Sequence, residues 1–489
     1  MAIEESIKLA DSDLLQQNLF IGGEWVESSD RKRTAVVNPA TGKVIAEVAM
    51  ATKLDVERAI SLADTAFKLW SKKTALDRAK ILRTWFNLIL ENVDDLAQIL
   101  TCEQGKPLDE ARGEIIYGAG FIYCYAEQGT RLYGETIPTN VSSRRLLTIR
   151  QAIGVTAAIT PWNFPMAMIA RKAGPALAAG CSMVIKPATD TPLSANAMAE
   201  LARRAGIPAG VLSVLVGPSQ MIGEVITSSP IVKALSFTGS TEVGKFLMAA
   251  SASTVKKVAM ELGGNAPFIV FDDASLDAAV AGAIASKFRN AGQTCVCANR
   301  ILVQDNIHDE FVAALQIAVA KLKVGNGLNA DTKQGPLINE DAISKVISHI
   351  DDAVALGGKI ISGGKRIGSE GTFFEPTIIT GVTENMLLMR EETFGPLAGI
   401  IKFSTEEDAL RIANDTPFGL AAYFFTQDNG RTWRIAEGLE AGVVGINTGL
   451  ISYEGAPFGG VKESGVGREG SKHGIEEFLE IKYLCIDGV

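Results

Sequence analysis

Histidine and cysteine are scarce in this chain. The three histidines, His308, His349 and His473, fall at no spacing that would hold a metal ion. Of six cysteines, Cys102, Cys124, Cys181, Cys295, Cys297 and Cys485, only Cys295 and Cys297 stand close together. No second pair completes a thiolate zinc site, so no metal is expected. Six cysteines in 489 residues are also too few for a disulfide scaffold. They fit a reducing compartment, and the cytoplasm is the expected location. Positive charge is in deficit, with 47 Lys and Arg against 56 Asp and Glu and a net charge of −9. That balance argues against a sequence-independent nucleic-acid binder and against a protein of anionic membranes. Uninterrupted apolar runs are missing too. Residues 151–170 and 205–223 carry no charge, but the first holds Pro161, Asn163 and Pro165 and the second Pro208, Pro218 and several glycines. Both read as buried strand–turn–helix pieces rather than membrane spans. The opening MAIEESIKLADSDLL is acidic and has no apolar core, unlike a signal peptide.

What remains is an ordinary globular composition, 47% hydrophobic and 21% charged, at a length that suits two or three domains. The stretch NLFIGGEWVES reads as short strands. In KLDVERAISLADTAFKLW the residues Val56, Ile60, Ala63, Phe67 and Trp70 recur at helical spacing, as core-facing positions do. Residues 133–152 form a polar turn followed by the alternating LLTIRQ, a protruding hairpin of the kind that serves assembly. From residue 153 strands and helices alternate: IGVTAAIT, ARKAGPALAAG, SMVIKPA, SANAMAELARRAG, VLSVLVG, ALSFTG and STEVGKFLMAAS. Such alternation implies a parallel sheet covered on both faces, with ligands at the carboxyl ends of its strands. A second α/β region follows Leu262, with FIVF, a helix over 275–290 and the later strand GVVGINTG. The final LEIKYLCI is strand-like and a candidate partner for the hairpin.

Several residues suggest chemistry. Lys186 ends a strand where it could reach a ribose or a phosphate, though an ordinary surface lysine fits as well. Gly239 and Ser240 sit between a strand and a helix, where backbone N–H groups suit a pyrophosphate; a plain turn is the simpler reading. Glu261, before two glycines, is a candidate general base or a structural carboxylate. Asn163, pinned between Pro161 and Pro165, is a candidate oxyanion donor or a turn residue. In GQTCVCANR, Cys295 is a candidate nucleophile.

Taken together, the motifs PWNFP, KPA, FTGST, ELGGNAP, GQTC, EETFGP and PFGGVKESG, in this order over nearly the whole chain, resemble the NAD(P)-dependent aldehyde dehydrogenases. IARKAGPALAAG, SKFRNAGQTCVCANR, GINTGLIS and SGVGREGSKHGIEEFLEIKY are similar to the bacterial succinate-semialdehyde dehydrogenases of that family. The resemblance implies an α/β fold: a Rossmann-type cofactor domain over 1–132 and 153–262, a catalytic α/β domain over 263–476, and oligomerisation strands over 133–152 and 477–489. It implies Cys295 as nucleophile, Asn163 as oxyanion donor and Glu261 as the base that activates water. It places Trp162, Asn163, Lys186, Pro187, Ala188, Thr189, Gly239, Ser240, Leu262, Glu392 and Phe394 at the cofactor, although Phe394 also reads as core filling. Relatives that prefer NAD usually carry Glu where this chain has Thr189, so the resemblance implies NADP, with NAD as a second acceptor. Arg171, Arg289 and Ser452 would hold the far carboxylate of a semialdehyde, although either arginine could instead pair with a protein carboxylate. Tyr453 stands where some relatives have Ser, which keeps glutarate semialdehyde open beside succinic semialdehyde. Cys297 is a candidate for redox regulation through Cys295, or a small buried residue. A homo-oligomer, dimer or tetramer, is implied, while a non-catalytic protein on the same fold is the alternative of another class.

Overall fold

A computed structural model describes residues 6–488; Met1–Glu5 of the acidic opening stretch, and Val489, lie outside the described residues. The chain builds two large sheets that meet at their functional ends. The first has eight strands in the order Glu24–Val26, Leu19–Ile21, Leu212–Val214, Ser182–Lys186, Val155–Ile159, Val232–Thr238, Lys257–Glu261 and Gly465–Val466. The five from Leu212–Val214 to Lys257–Glu261 run parallel. All five residues of Ser182–Lys186 are buried, as a strand covered on both faces requires. The alternation of strands and helices from residue 153 is therefore present as expected.

The path through this sheet decides where a ligand can sit. From Val155–Ile159 the chain moves outward through Ser182–Lys186 to Leu212–Val214. It then returns to the other side of Val155–Ile159 as Val232–Thr238. Crossovers thus leave in opposite directions, which makes the carboxyl ends of Val155–Ile159 and Val232–Thr238 the switch point beside which sheets of this kind take their ligands. Thr160 and Gly239 stand just past those ends; Lys186 stands at the end of the flanking strand Ser182–Lys186, and Leu262 just past that of Lys257–Glu261.

Helices cover both faces. In Lys53–Trp70, Thr52 and Asp55 form a reciprocal capping box, and Val56, Ala59, Ile60, Ala63, Ala66 and Trp70 face the core. Phe67, expected in that stripe, is only half-buried. The helix Ala167–Ala179, buried at every residue, follows the PWNFP turn.

The second sheet has seven strands in the order Lys359–Ser362, Thr377–Thr380, Leu397–Phe403, Ala298–Gln304, Ala266–Val270, Ala421–Phe425 and Val443–Ile446. The helix between its strands Ala266–Val270 and Ala298–Gln304 is shorter than the sequence suggests, running Leu276–Lys287 and not to 290. The reason lies in the next turn, Arg289–Gly292, where Asn290, Ala291 and Gly292 take φ values of 51°, 54° and 76°. A side chain at Gly292 would sit 2.1 Å from the Gly395 carbonyl oxygen, so the left-handed turn into Cys295 has room only for glycine there.

A third, small sheet joins an internal hairpin to the C-terminal strand. Arg144–Ala152 pairs antiparallel with Leu479–Asp487, from Leu479 opposite Ala152 to Asp487 opposite Arg144, and Thr136–Ile137 adds an edge. Residues Gly465–Val466, from the region after Leu262, pair back onto Lys257–Glu261 of the first sheet. No helix among the described residues is long and apolar enough to cross a membrane.

Candidate active site

Cys295 lines a cavity of about 260 Å³ that it shares with Arg171, Arg289, Ser452, Tyr117 and Phe458. The loop that carries it is held at nearly every peptide. Gln293 is fully buried; its Oε1 accepts from Ile338 N at 2.9 Å and its Nε2 donates to Asn290 O at 3.1 Å. Val296 O accepts from the Tyr423 hydroxyl at 2.7 Å. Gly264 packs so close that a side chain there would lie 2.7 Å from Cys295 O. Burial pushes the Cys295 thiol up to about 12, against the field of Arg171, which lowers it. At rest the sulfur is a neutral thiol.

Asn163 belongs to the same assembly. Its peptide oxygen accepts from Lys106 Nζ at 2.8 Å and Asn290 Nδ2 at 3.1 Å. Its side-chain Nδ2 donates to Gln293 O at 3.1 Å, which leaves the second N–H of the amide uncommitted. A rigid turn explains part of this placement, and the bonds from outside the turn explain the rest.

Glu261 closes its strand with a buried carboxyl whose Oε2 has no hydrogen-bond partner. Burial raises it well above the usual carboxylate range; the charge of Glu469 adds to the rise, while Arg171, Lys172 and Arg468 offset it. Glu469 is the carboxylate that sequence reasoning missed. Its Oε1 lies 2.6 Å from Lys172 Nζ and its Oε2 lies 2.8 Å from Arg171 Nε. Lys172 also donates to Ser236 Oγ at 2.9 Å.

The two arginines differ in consequence. Arg171 is buried, ion-paired with Glu469, and stacked over the Phe458 ring at 4.1 Å; its Nη2 has no partner. The expected alternative, an arginine paired with a protein carboxylate, is thus partly realised for Arg171. Arg289 is half-buried, lies 5.5 Å from the Phe164 ring centre, and makes no salt bridge among the described residues. Ser452 lies against the Tyr117 hydroxyl inside the cavity. Tyr453 is 62% exposed and is not part of the lining, so it does not set the cavity's length.

The crevice of the first sheet holds the second group of residues. Lys186 is buried rather than a surface lysine, its Nζ donates only to Pro187 O at 3.1 Å, and burial lowers it to about 8. Pro187 is buried, Ala188 and Thr189 are half-buried, and the next residue, Asp190, puts a carboxylate in the field of Lys186. Trp162 and Phe394 meet edge to face at 5.5 Å, both half-buried. Glu392 accepts from Gly264 N at 3.3 Å, and burial raises it to about 7. Ser240 caps the helix Thr241–Ser251 by accepting from Val243 N at 3.4 Å.

Two expected contacts are spent elsewhere. The Gly239 N–H continues the parallel ladder and donates to Glu261 O at 3.1 Å, so it is not free for a pyrophosphate. Leu262 gives its N–H to Ser464 O at 2.9 Å and packs its side chain in the core beside Gly244. Cys297 is buried outside the cavity lining, with its sulfur 3.4 Å from Lys287 Nζ.

The chain is similar to known proteins over nearly its whole length. The sequence pattern described as the Aldehyde dehydrogenase family matches residues 25–484. A glutarate-semialdehyde dehydrogenase of Pseudomonas aeruginosa is 57% identical over 483 residues, 99% of this chain and 100% of that protein. The NADP(+) succinate-semialdehyde dehydrogenase GabD of Escherichia coli is 57% identical over 480 residues, 98% of this chain and 100% of its own. The crystal structure of an E. coli NADP dependent enzyme superposes with a TM-score of 0.98 at 56% identity, covering 98% of this chain and 100% of that one.

The half-buried Cys295 thiol gives a direct test of the local electrostatics. Because the Cys295 thiol lies at about 12, its thiolate fraction rises with every step in pH below that value. Alkylation of Cys295 by iodoacetamide in the protein alone is expected to accelerate roughly tenfold per pH unit between about pH 7 and 9. Peptide mass spectrometry reads the rate, and labelling that is fast and flat across this range contradicts the account.

Proposed function

The chain belongs to the aldehyde dehydrogenase family, and we propose that it oxidises succinic semialdehyde to succinate with NADP as hydride acceptor. One observation carries this reading: Cys295 shares its cavity with an arginine, Arg289, that makes no salt bridge among the described residues, although the Glu110 carboxyl of the same cavity lies in its field. A semialdehyde brings a carbonyl for the sulfur and a carboxylate for the guanidinium. Glutarate semialdehyde, one methylene longer, is the second reading, favoured by the relative of that name in P. aeruginosa.

The residues divide the work as follows. The Cys295 thiol loses its proton to solvent, and the thiolate bonds to the carbonyl carbon while the C=O π pair moves onto oxygen, forming a tetrahedral thiohemiacetal. The free N–H of the Asn163 amide and the Cys295 peptide N–H receive the oxyanion. When bound, the nicotinamide supplies the hydride acceptor that leaves the carbon as a thioester on Cys295. Glu261 takes a proton from water, whose oxygen adds to the thioester carbon; the carboxylate leaves and the thiol is regenerated. A buried carboxyl with an unpartnered oxygen suits that task, and Glu469 with Arg171 and Lys172 tunes it.

The crevice fits a dinucleotide. Lys186 is a buried ammonium with a single carbonyl partner at a sheet switch point, a position that calls for an external acceptor. Lys186 and Thr189 would hold the ribose with its 2′-phosphate, aided by Pro187, Ala188 and the helix start at Ser240. Trp162, Phe394 and Glu392 would hold the nicotinamide side. We further propose a homo-oligomer assembled through the small sheet, whose C-terminal strand exposes Ile481, Tyr483 and Ile486 at 64%, 56% and 44%, and a cytoplasmic location, which the free cysteines support.

Two experiments test the proposal. Arg289→Gln is expected to lower kcat/KM for succinic semialdehyde by about 1.5–3 kcal/mol, roughly 10–100-fold, while oxidation of propanal changes little. Arg171→Gln should impair both substrates, since it also leaves Glu469 with one cation fewer. Equal losses on both aldehydes for Arg289→Gln would count against carboxylate recognition. For the cofactor, kcat/KM with NADP should exceed that with NAD, and Thr189→Glu should move the ratio toward NAD by repelling a 2′-phosphate. A strong preference of the unaltered chain for NAD contradicts this part.

A further inference from the structure

Asn163 would be a poor oxyanion donor if its turn could shift, and the structure holds that turn from an unexpected side. Lys106 lies between the helices Val93–Gln104 and Leu108–Gln128, outside both large sheets, and is 1% exposed. Its Nζ donates to Asn163 O at 2.8 Å and to Glu114 Oε2 at 2.6 Å, and lies 3.8 Å from the Phe164 ring centre. Two carbonyl or carboxylate acceptors and one ring face use the three N–H directions of an ammonium. Although Lys106 borders the cavity, nothing of it is left for a substrate.

Glu114 completes the hold. Its Oε1 accepts from Met166 N at 3.0 Å and Ala167 N at 3.2 Å, the first peptides of the helix that carries Arg171 and Lys172. The Lys106–Glu114 pair therefore grips both ends of the segment from Asn163 to Ala167. The other support of Asn163 O, Asn290 Nδ2, is itself fixed through Gln104 Nε2, which donates to Asn290 Oδ1 at 3.0 Å. Both supports thus issue from the turn at Gln104–Lys106.

Stability alone does not explain a fully buried ion pair here. An apolar pair of the same volume commonly serves folding as well, because each ion loses its water. What an apolar pair lacks is a donor for the Asn163 carbonyl. We propose that Lys106 is a positioning residue for the reaction: with Glu114 it fixes the Asn163 peptide so that the free amide N–H meets the oxyanion at Cys295. This rests on the reading of Asn163 as the oxyanion donor.

The test is a double-mutant cycle with succinic semialdehyde and NADP, accompanied by thermal melts. Lys106→Met/Glu114→Gln removes the donor while keeping shape, charge balance and the carbonyl that accepts from Met166 and Ala167. Its kcat is expected to fall about 10–100-fold, the range that follows from small misplacement of a catalytic group. Substrate KM, NADP affinity and melting temperature should stay near those of the unaltered protein. Lys106→Arg, which keeps a donor for Asn163 O, should recover part of the loss. Placed in an Asn163→Ala background, the Lys106→Met/Glu114→Gln change should cost little more, since no amide remains to be positioned. Unaltered kcat in the pair variant overturns the proposal, and so does a loss that persists in full beside Asn163→Ala. An Asn163→Ala protein with unaltered kcat instead removes the oxyanion reading beneath it, so the two failures are told apart.

Discussion

The carbonyl oxygen of Gln293 accepts from two side-chain amides, Asn163 Nδ2 at 3.1 Å and Asn290 Nδ2 at 3.2 Å. The rest of the site depends on that junction. One amide comes from the turn after the first sheet's strand Val155–Ile159, and the other from the turn that leads into Cys295. A sulfur fixed to one half of the molecule and a donor fixed to the other can serve one carbonyl only if the halves share a rigid contact. Buried hydrogen bonds with saturated partners supply it, because breaking any of them would strand a polar group without water. The left-handed turn at Asn290–Gly292 and the close packing at Gly264 and Gly395 are the backbone conditions for the same contact.

Charge is distributed around this junction with little redundancy. Glu469 faces two cations, Arg171 and Lys172, and is held low in spite of its burial. Glu261, nearby, has none of its own and rises. Two carboxyls in one buried region thus have opposite tendencies, which is how a fold separates a permanent anion from a proton acceptor. Neither Arg289 nor Lys186 makes a salt bridge among the described residues, although Glu110 lies in the field of the first and Asp190 in that of the second. Unpaired buried or half-buried cations are costly in an empty site and favourable when an anion arrives. The proposed substrate carboxylate and cofactor phosphate would add a direct partner to each. Asp190 complicates the second case, since its field reaches Lys186 from the loop that bears Thr189.

Much of the fold was legible in the sequence because its signals are local. Alternating strand and helix patterns after residue 153 became the parallel sheet, and Lys186 stands at a strand's carboxyl end. LEIKYLCI, read as strand-like and a candidate partner, pairs with the hairpin strand. The site was legible in part. Cys295, Arg171, Arg289 and Ser452 share one cavity, with Asn163 bonded to its loop, but Cys297 does not line it. Illegible features depend on partners far apart in the chain. Lys106 and Asn163 are separated by 57 positions, and Lys172 and Glu469 by 297, so no spacing could announce them. The Gly239 N–H fails as a ligand donor for a similar reason, since its acceptor lies on a neighbouring strand. GKP at 105–107 and GREG at 467–470 were the only local traces of these contacts, and neither carries a chemical pattern.

The central claim is that the substrate carbon becomes bonded to Cys295 and is released by water that Glu261 activates. Its most direct test is to quench Glu261→Gln during turnover with succinic semialdehyde and NADP and to map the chain by peptide mass spectrometry. The account requires one succinyl thioester per chain, on the peptide that contains Cys295. A protein free of adduct, or one acylated at a different cysteine, would contradict it.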